Sequence, residues 1–412
     1  MIASQTASGL RYAVRQGGKG VAWCALSIRC GTRDEGDFPE GIAHFVEHTL
    51  FRGTARKSAG VISSYLDRLG GELNAYTTKE EIVLHATVLS ADLWKAVGLL
   101  YELATEATFP DREIETERGV VLDEIISYKD NPYEDVFDRF ESRLFYGHPL
   151  GRLILGTTAS VRKITPEMLR RFVARFFVPE RMALTIVAPL EEKRMVRRLT
   201  ALTDKVFGMA PVPSEAPERA LFAAPVAHLP FRKTLDKRHH EVNAVLGGHG
   251  PSLYDEKDRI TAALLANILG GPASNSLLNR EIRERKGWVY SIECSYTQYA
   301  DSGIMAISFG CDRPNLEGCV KAIEKILQGL CDTPLSERRL KAFKKQTLGQ
   351  IGISSESGEA QCLSMGKSLL SWGRVREDGE NRAAIEAVTP EDIQRMAQRL
   401  LDPSRLSHLV YL

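Results

Sequence analysis

His44, Glu47 and His48 lie within the stretch GIAHFVEHTLFRG, Gly41 to Gly53. On a helix turning about 100° per residue, Ile42, Phe45, Val46, Thr49 and Leu50 share one side. The two histidines fall on the opposite side, one turn apart, and Glu47 flanks them. One face anchors such a helix while the other presents two imidazoles. That spacing suits a zinc ion, which takes histidine nitrogens at about 2.0–2.1 Å. Glu47 cannot easily join the same ion without straining the helix, but it is placed to take a proton from a metal-activated water. The order HxxEH reverses the commoner HExxH. The plain alternative is a solvated polar face.

A catalytic zinc wants three protein ligands and one open position. The segment PDREIETERGVVLDEIISYKD, Pro110 to Asp130, reads as a helix with acidic residues in its first turn. Glu113, Glu117 and Glu124 fall on one face of it. Glu113 and Glu117 sit in a highly charged stretch that reads as solvated. Glu124 is surrounded by Val120, Val121, Leu122, Ile125 and Ile126. That setting predicts a buried carboxylate, which needs a cation or strong hydrogen bonds. Glu124 is therefore the leading third ligand, with Asp123 and Glu117 as rivals. Glu117 could instead orient a ligand from behind.

The elements that must hold these residues repeat. ITPEMLRRFVARFFVPERMALTIVA (Ile164 to Ala188) and VTPEDIQRMAQRLLDPSRLSHLVYL (Val388 to Leu412) align without gaps, with seven identities in 25 positions. Each reads as a Thr cap, Pro at the first helical position, an amphipathic helix, a second Pro and a strand. Each half also opens on a β-like run, GVAWCALSIRCG or EVNAVLGGHG, and continues through extended segments into a helix. The expected fold is α+β: two homologous domains, each a mainly antiparallel sheet with helices packed on one face. The boundaries read as 1–208 for the domain with the HxxEH site and 229–412 for the second. A proline-rich linker at 209–228 joins them.

A chain of 412 residues with a net charge of +1 fits two or three domains and carries no global pull toward nucleic acid or anionic membranes. No apolar run approaches the roughly 20 residues that cross a bilayer. Seven scattered cysteines without a CxxC argue against a disulfide framework, and no secretory signal is read at the N-terminus. A cytoplasmic setting is expected. LGGPAS lacks the remainder of a phosphate-binding loop and reads as a tight turn. His85 reads as a strand residue. His239 and His240 lack a third partner.

HxxEH followed by Glu124 resembles the M16 zinc metallopeptidases, the inverzincin family of insulysin and pitrilysin. The resemblance covers nearly the whole chain. GIAHFVEHTLFRGT looks like the family's zinc helix, LGGELNAYTTKEE its substrate-contacting strand, and HPLGRLILGT a recurring loop. ILGGPASNSLLNREIRERKGWVYSI is similar to its Gly-rich turn and Arg/Tyr element. By resemblance, His44, His48 and Glu124 bind one Zn2+ per chain, Glu47 is the general base and Glu117 is the supporting acid. Asn74, Arg283 and Tyr290 then contact substrate, the last two as donors to the oxyanion or peptide carbonyl. Their plain readings are a turn Asn, a charged helix end and a core tyrosine. The length is similar to that of the short, two-domain subfamily, in which two chains close a half-clam into a chamber. The implied activity is hydrolysis of peptides or unfolded segments by a homodimer, or by a heterodimer with a second M16 chain. The rival is a non-catalytic scaffold or partner subunit of the same family, a kind that usually loses zinc-site residues.

Overall fold

The structure, a computed structural model, describes residues 1–211 and 230–412. The linker expected at 209–228 lies, from residue 212 onward, outside the described residues. Six strands form the first sheet: β1 (Ile2–Gln5), β2 (Arg11–Gln16), β3 (Val21–Ile28), β4 (Glu72–Thr77), β5 (Ile82–Leu89) and β6 (Met182–Ala188). Five form the second: β7 (Arg232–Leu235), β8 (Val242–Gly250), β9 (Val289–Gln298), β10 (Gly303–Cys311) and β11 (Ser407–Tyr411). The strand orders are β1-β2-β6-β3-β5-β4 and β7-β11-β8-β10-β9. Apart from β1 the two orders match strand for strand. β2–β6 and β7–β11 are the corresponding parallel pairs, and every other pair is antiparallel. The fold is α+β with mixed, mainly antiparallel sheets.

The internal repeat accounts for this match. Helices Pro166–Phe176 and Pro390–Leu400 run into β6 and β11. Each begins with Pro at its first turn, and each has a Thr cap. Thr165 accepts from Met168 N at 3.3 Å and Thr389 from Asp392 N at 3.1 Å. Such a cap is worth about 1 kcal/mol.

The compact units do not follow the contiguous halves. Ile126–Gly151 belongs with the second sheet, and Gly352–Arg376 with the first. In the first unit, helix Gly358–Trp372 packs Cys362, Met365 and Leu369 on Ala13, Ala25, Val83 and Ala183. Close approach demands small residues there, since a Cβ on Gly366 would stand 2.5 Å from Ser27 Oγ. In the second unit, helix Pro132–Leu144 lays Val136 and Phe140 over Val245, Ile304 and Leu409. Tyr411 donates to its buried Asp135 at 2.7 Å. Each sheet thus keeps its main helical layer on one face and takes a helix from the other half of the chain on the opposite face. β6, MALTIVA, is buried at every position, as a strand covered on both faces must be.

Candidate metal centre

Ile42–Leu50 is helical, and Ile42, Phe45, Val46, Thr49 and Leu50 are buried. The helix starts at Gly41, at φ 88, where a Cβ would stand 2.7 Å from the Leu155 carbonyl. No capping side chain fits at that position. The fully buried Glu35 supplies the cap instead, accepting from Gly41 N at 2.9 Å and Ala43 N at 3.2 Å. The opposing helix, Asp111–Lys129, buries Ile114, Glu117, Val121 and Ile125. Arg118 fastens it by donating to the Ile164 carbonyl at 2.8 Å.

These anchors bring His44, His48 and Glu124 together, with their ligand atoms all within 4.8 Å of one another. Glu124 Oε2 stands 3.4 Å from His48 Nε2 and 3.7 Å from His44 Nε2. A tetrahedral zinc with bonds of 2.0–2.1 Å spaces its ligand atoms about 3.3–3.4 Å apart. Glu124 Oε2 is a buried atom without a hydrogen-bond partner. An orphaned carboxylate oxygen facing two imidazole nitrogens fits a cation between them. Two nitrogens and one carboxylate oxygen are a donor set suited to zinc.

Electrostatics agree. Burial, with the neighbouring His48, pushes His44 down to about 4, leaving the neutral imidazole that ligates. Burial works against a charge on His48, but Glu117, Glu124 and Glu47 outweigh it and raise His48 to about 9. A proton on His48 therefore satisfies the acidic cluster when no metal is bound, and a metal dication would displace it. The charge of His48, 3.4 Å away, holds Glu124 below its ordinary range, whereas burial raises Glu47. Glu47 accepts from Thr77 Oγ1 at 2.9 Å.

The structure reverses one part of the sequence reading. Glu117, read as solvated, is 2% exposed, while Val120 and Ile126, read as burying Glu124, are 46% and 52% exposed. The apolar seam of the helix runs through Ile114, Val121 and Ile125, and Glu117 shares it. Glu117 tolerates burial because His48 Nδ1 donates to it at 2.8 Å and Arg52 forms an ion pair with it. Glu124 is half-buried, facing the histidines, and the rival Asp123 is exposed.

Asn74 is exposed on edge strand β4, opposite His85. A cavity of about 330 Å³ beside β4 is lined by Phe51, Arg52, Ile62, Leu66, Leu73 and Asn74. His85 lies in β5, with Glu359 3.0 Å away. Arg283 is exposed in a short π-helical segment, Asn279–Glu284. Tyr290 is 58% exposed rather than a core residue, and its hydroxyl donates to Asp312 at 2.7 Å. Among the described residues, His239 and His240 join no metal-ligand group. Sequence reasoning missed Glu35, Arg52 and Thr77. Arg52 follows His48 by four residues, one helical turn, which was a signal available for it. Glu35 and Thr77 gave none.

Residues 13–158 match the family model described as Insulinase (Peptidase family M16), and residues 163–347 match Peptidase M16 inactive domain. The chain belongs to the M16 peptidase family. An uncharacterized zinc protease of Mycobacterium leprae is 32% identical over 396 residues, covering 95% of this chain and 85% of that protein. One from Streptomyces coelicolor is 30% identical over 376 residues, covering 90% and 80%. A Helicobacter pylori protease structure superposes with a TM-score of 0.90 at 20% identity, covering all of this chain and 99% of the other. A Pseudomonas fluorescens structure described as a peptidase M16 inactive domain gives 0.89 at 20%. These two show the shared fold. The relatives named zinc proteases support peptidase chemistry and point to zinc as the metal. Among the described residues no helix is long and apolar enough to cross a membrane.

Proposed function

We propose that this chain is a zinc-dependent endopeptidase cleaving peptides or unfolded protein segments. The observation that carries the reading is the convergence of His44 Nε2, His48 Nε2 and Glu124 Oε2 beside a carboxylate outside that ligand group, Glu47, which Thr77 holds. A zinc ion held by the first three would polarise the scissile carbonyl and acidify the attacking water. Glu47 takes the proton from that water and returns it to the leaving amine. Its partly buried position raises the carboxylate's proton affinity, which suits this exchange. Glu117 fixes the ring of His48 and its tautomer from behind. The edge of β4 that no strand pairs with among the described residues accepts the peptide as an added strand, with Asn74 on that strand. Arg283, which is exposed, offers donors suited to the oxyanion or a peptide carbonyl, and Tyr290 offers one when its hydroxyl leaves Asp312. A homodimeric chamber would limit substrates by size, and a second M16 chain is the alternative partner.

Glu47→Gln tests the assignment. The variant is expected to retain one zinc per chain and to lose cleavage of a quenched peptide. Full activity in Glu47→Gln, or wild-type cleavage that survives exhaustive chelation, would overturn it. The mass of the active species in solution tests the dimer.

A further inference from the structure

Glu47 has three rotatable side-chain bonds, and its terminal oxygens sweep several ångströms between rotamers. A general base has to be held within hydrogen-bond reach of the proton it takes. Among the described residues, the side-chain hydrogen bond at Glu47 comes from Thr77, whose Oγ1 donates to Oε2 at 2.9 Å. Thr77 is the last residue of β4 and pairs with Ile82 of β5. β4 ends the first sheet, and among the described residues no strand pairs with its other side. The residue that grips the base is therefore the end of an edge strand that can pair with an incoming peptide.

We infer that Thr77 is a positioning residue. It holds Oε2 of Glu47 so that the carboxylate faces the attacking water, and it links peptide docking along β4 to placement of the base. The inference rests on the reading of Glu47 as general base. A peptide pairing with β4 orders the strand carrying Thr77, and that order reaches Glu47 through one hydrogen bond. Thr77 itself exchanges no proton. Its hydroxyl stays donated throughout, leaving Oε1 to accept.

The test compares Thr77→Val, which keeps shape and removes the donor, with Thr77→Ser, which keeps the donor. Thr77→Ala checks that the added methyl of Val is not the cause. A hydrogen bond to a charged group is worth roughly tenfold to hundredfold in rate when lost. Val and Ala should each lower kcat by about that factor, leaving KM and zinc affinity within twofold of wild type, while Ser should restore kcat. Stability gives a readout independent of turnover. In zinc-free protein the effects of Thr77→Val and Glu47→Ala on the denaturation midpoint should be non-additive, because each removes the same contact, which is present without metal. Unchanged kcat in Val and Ala, equal losses in Val and Ser, a loss confined to KM, or additive stabilities would each overturn the inference. An inactive Glu47→Gln beside a fully active Thr77→Val refutes the positioning role alone. A fully active Glu47→Gln refutes the general-base reading beneath it.

Discussion

Replacing Glu117 should weaken zinc binding although Glu117 touches no metal. His48 Nδ1 donates to its carboxylate at 2.8 Å, which leaves Nε2, directed at Glu124, to ligate once a metal displaces its proton. In Glu117→Ala, His48 loses a buried anionic acceptor. A hydrogen bond to a charged group is worth about 1.5–3 kcal/mol. Loss of such a partner behind a metal ligand typically costs 10–100-fold in affinity, about 1.4–2.7 kcal/mol. The two ranges coincide, so a drop of one to two orders of magnitude is expected. The orphaned Arg52 adds little to this loss, because its side chain is 34% exposed and can turn to water. Glu117→Gln keeps an oxygen acceptor for His48 but loses the charge that pairs with Arg52, so its loss should be smaller, up to about tenfold. Competition against a chromophoric chelator, on protein shown folded by circular dichroism, measures both variants. Wild-type zinc affinity in Glu117→Ala would refute the claim that this carboxylate orients His48 for metal.

Zinc affinity should also depend on pH with a definite sign. Metal-free His48 keeps its proton up to about pH 9, and zinc must displace it. Affinity should therefore fall as pH falls below about 9, by about tenfold per unit, with His44 contributing only toward pH 4. Calorimetry in buffers of different ionisation enthalpy should find about one proton released per zinc near pH 7, and zero release would contradict it. In the second unit, a Cβ on the buried Gly270 would lie 2.3 Å from the backbone nitrogen of Cys294 in β9. Gly270→Ala should destabilise by about 1–3 kcal/mol through overpacking. Denaturant melts read the change, and an unchanged midpoint would show that β9 yields freely.

The sequence alone determined the features whose physics is local. His44, Glu47 and His48 share a helix, so their mutual placement follows from a fixed rise and turn, and Phe45 and Val46 mark the face that packs. Thr165 and Thr389 announce two helix starts through neighbours three residues away. The topological repeat was visible because corresponding halves kept the same punctuation. Tertiary structure decided what depends on the neighbour met across space. On helix Asp111–Lys129, Glu117, Asp123 and Glu124 are chemically interchangeable in sequence. Packing gave Glu117 to His48 and Arg52, left Asp123 in water and aimed Glu124 at the histidines. Helices Pro132–Leu144 and Gly358–Trp372 each carry an apolar face, but amphipathicity states only that a face must be covered. Which sheet covers it is set by shape, here Ala25 and Ser27 of β3 beneath Gly366 for one, and Val245 with Leu409 for the other.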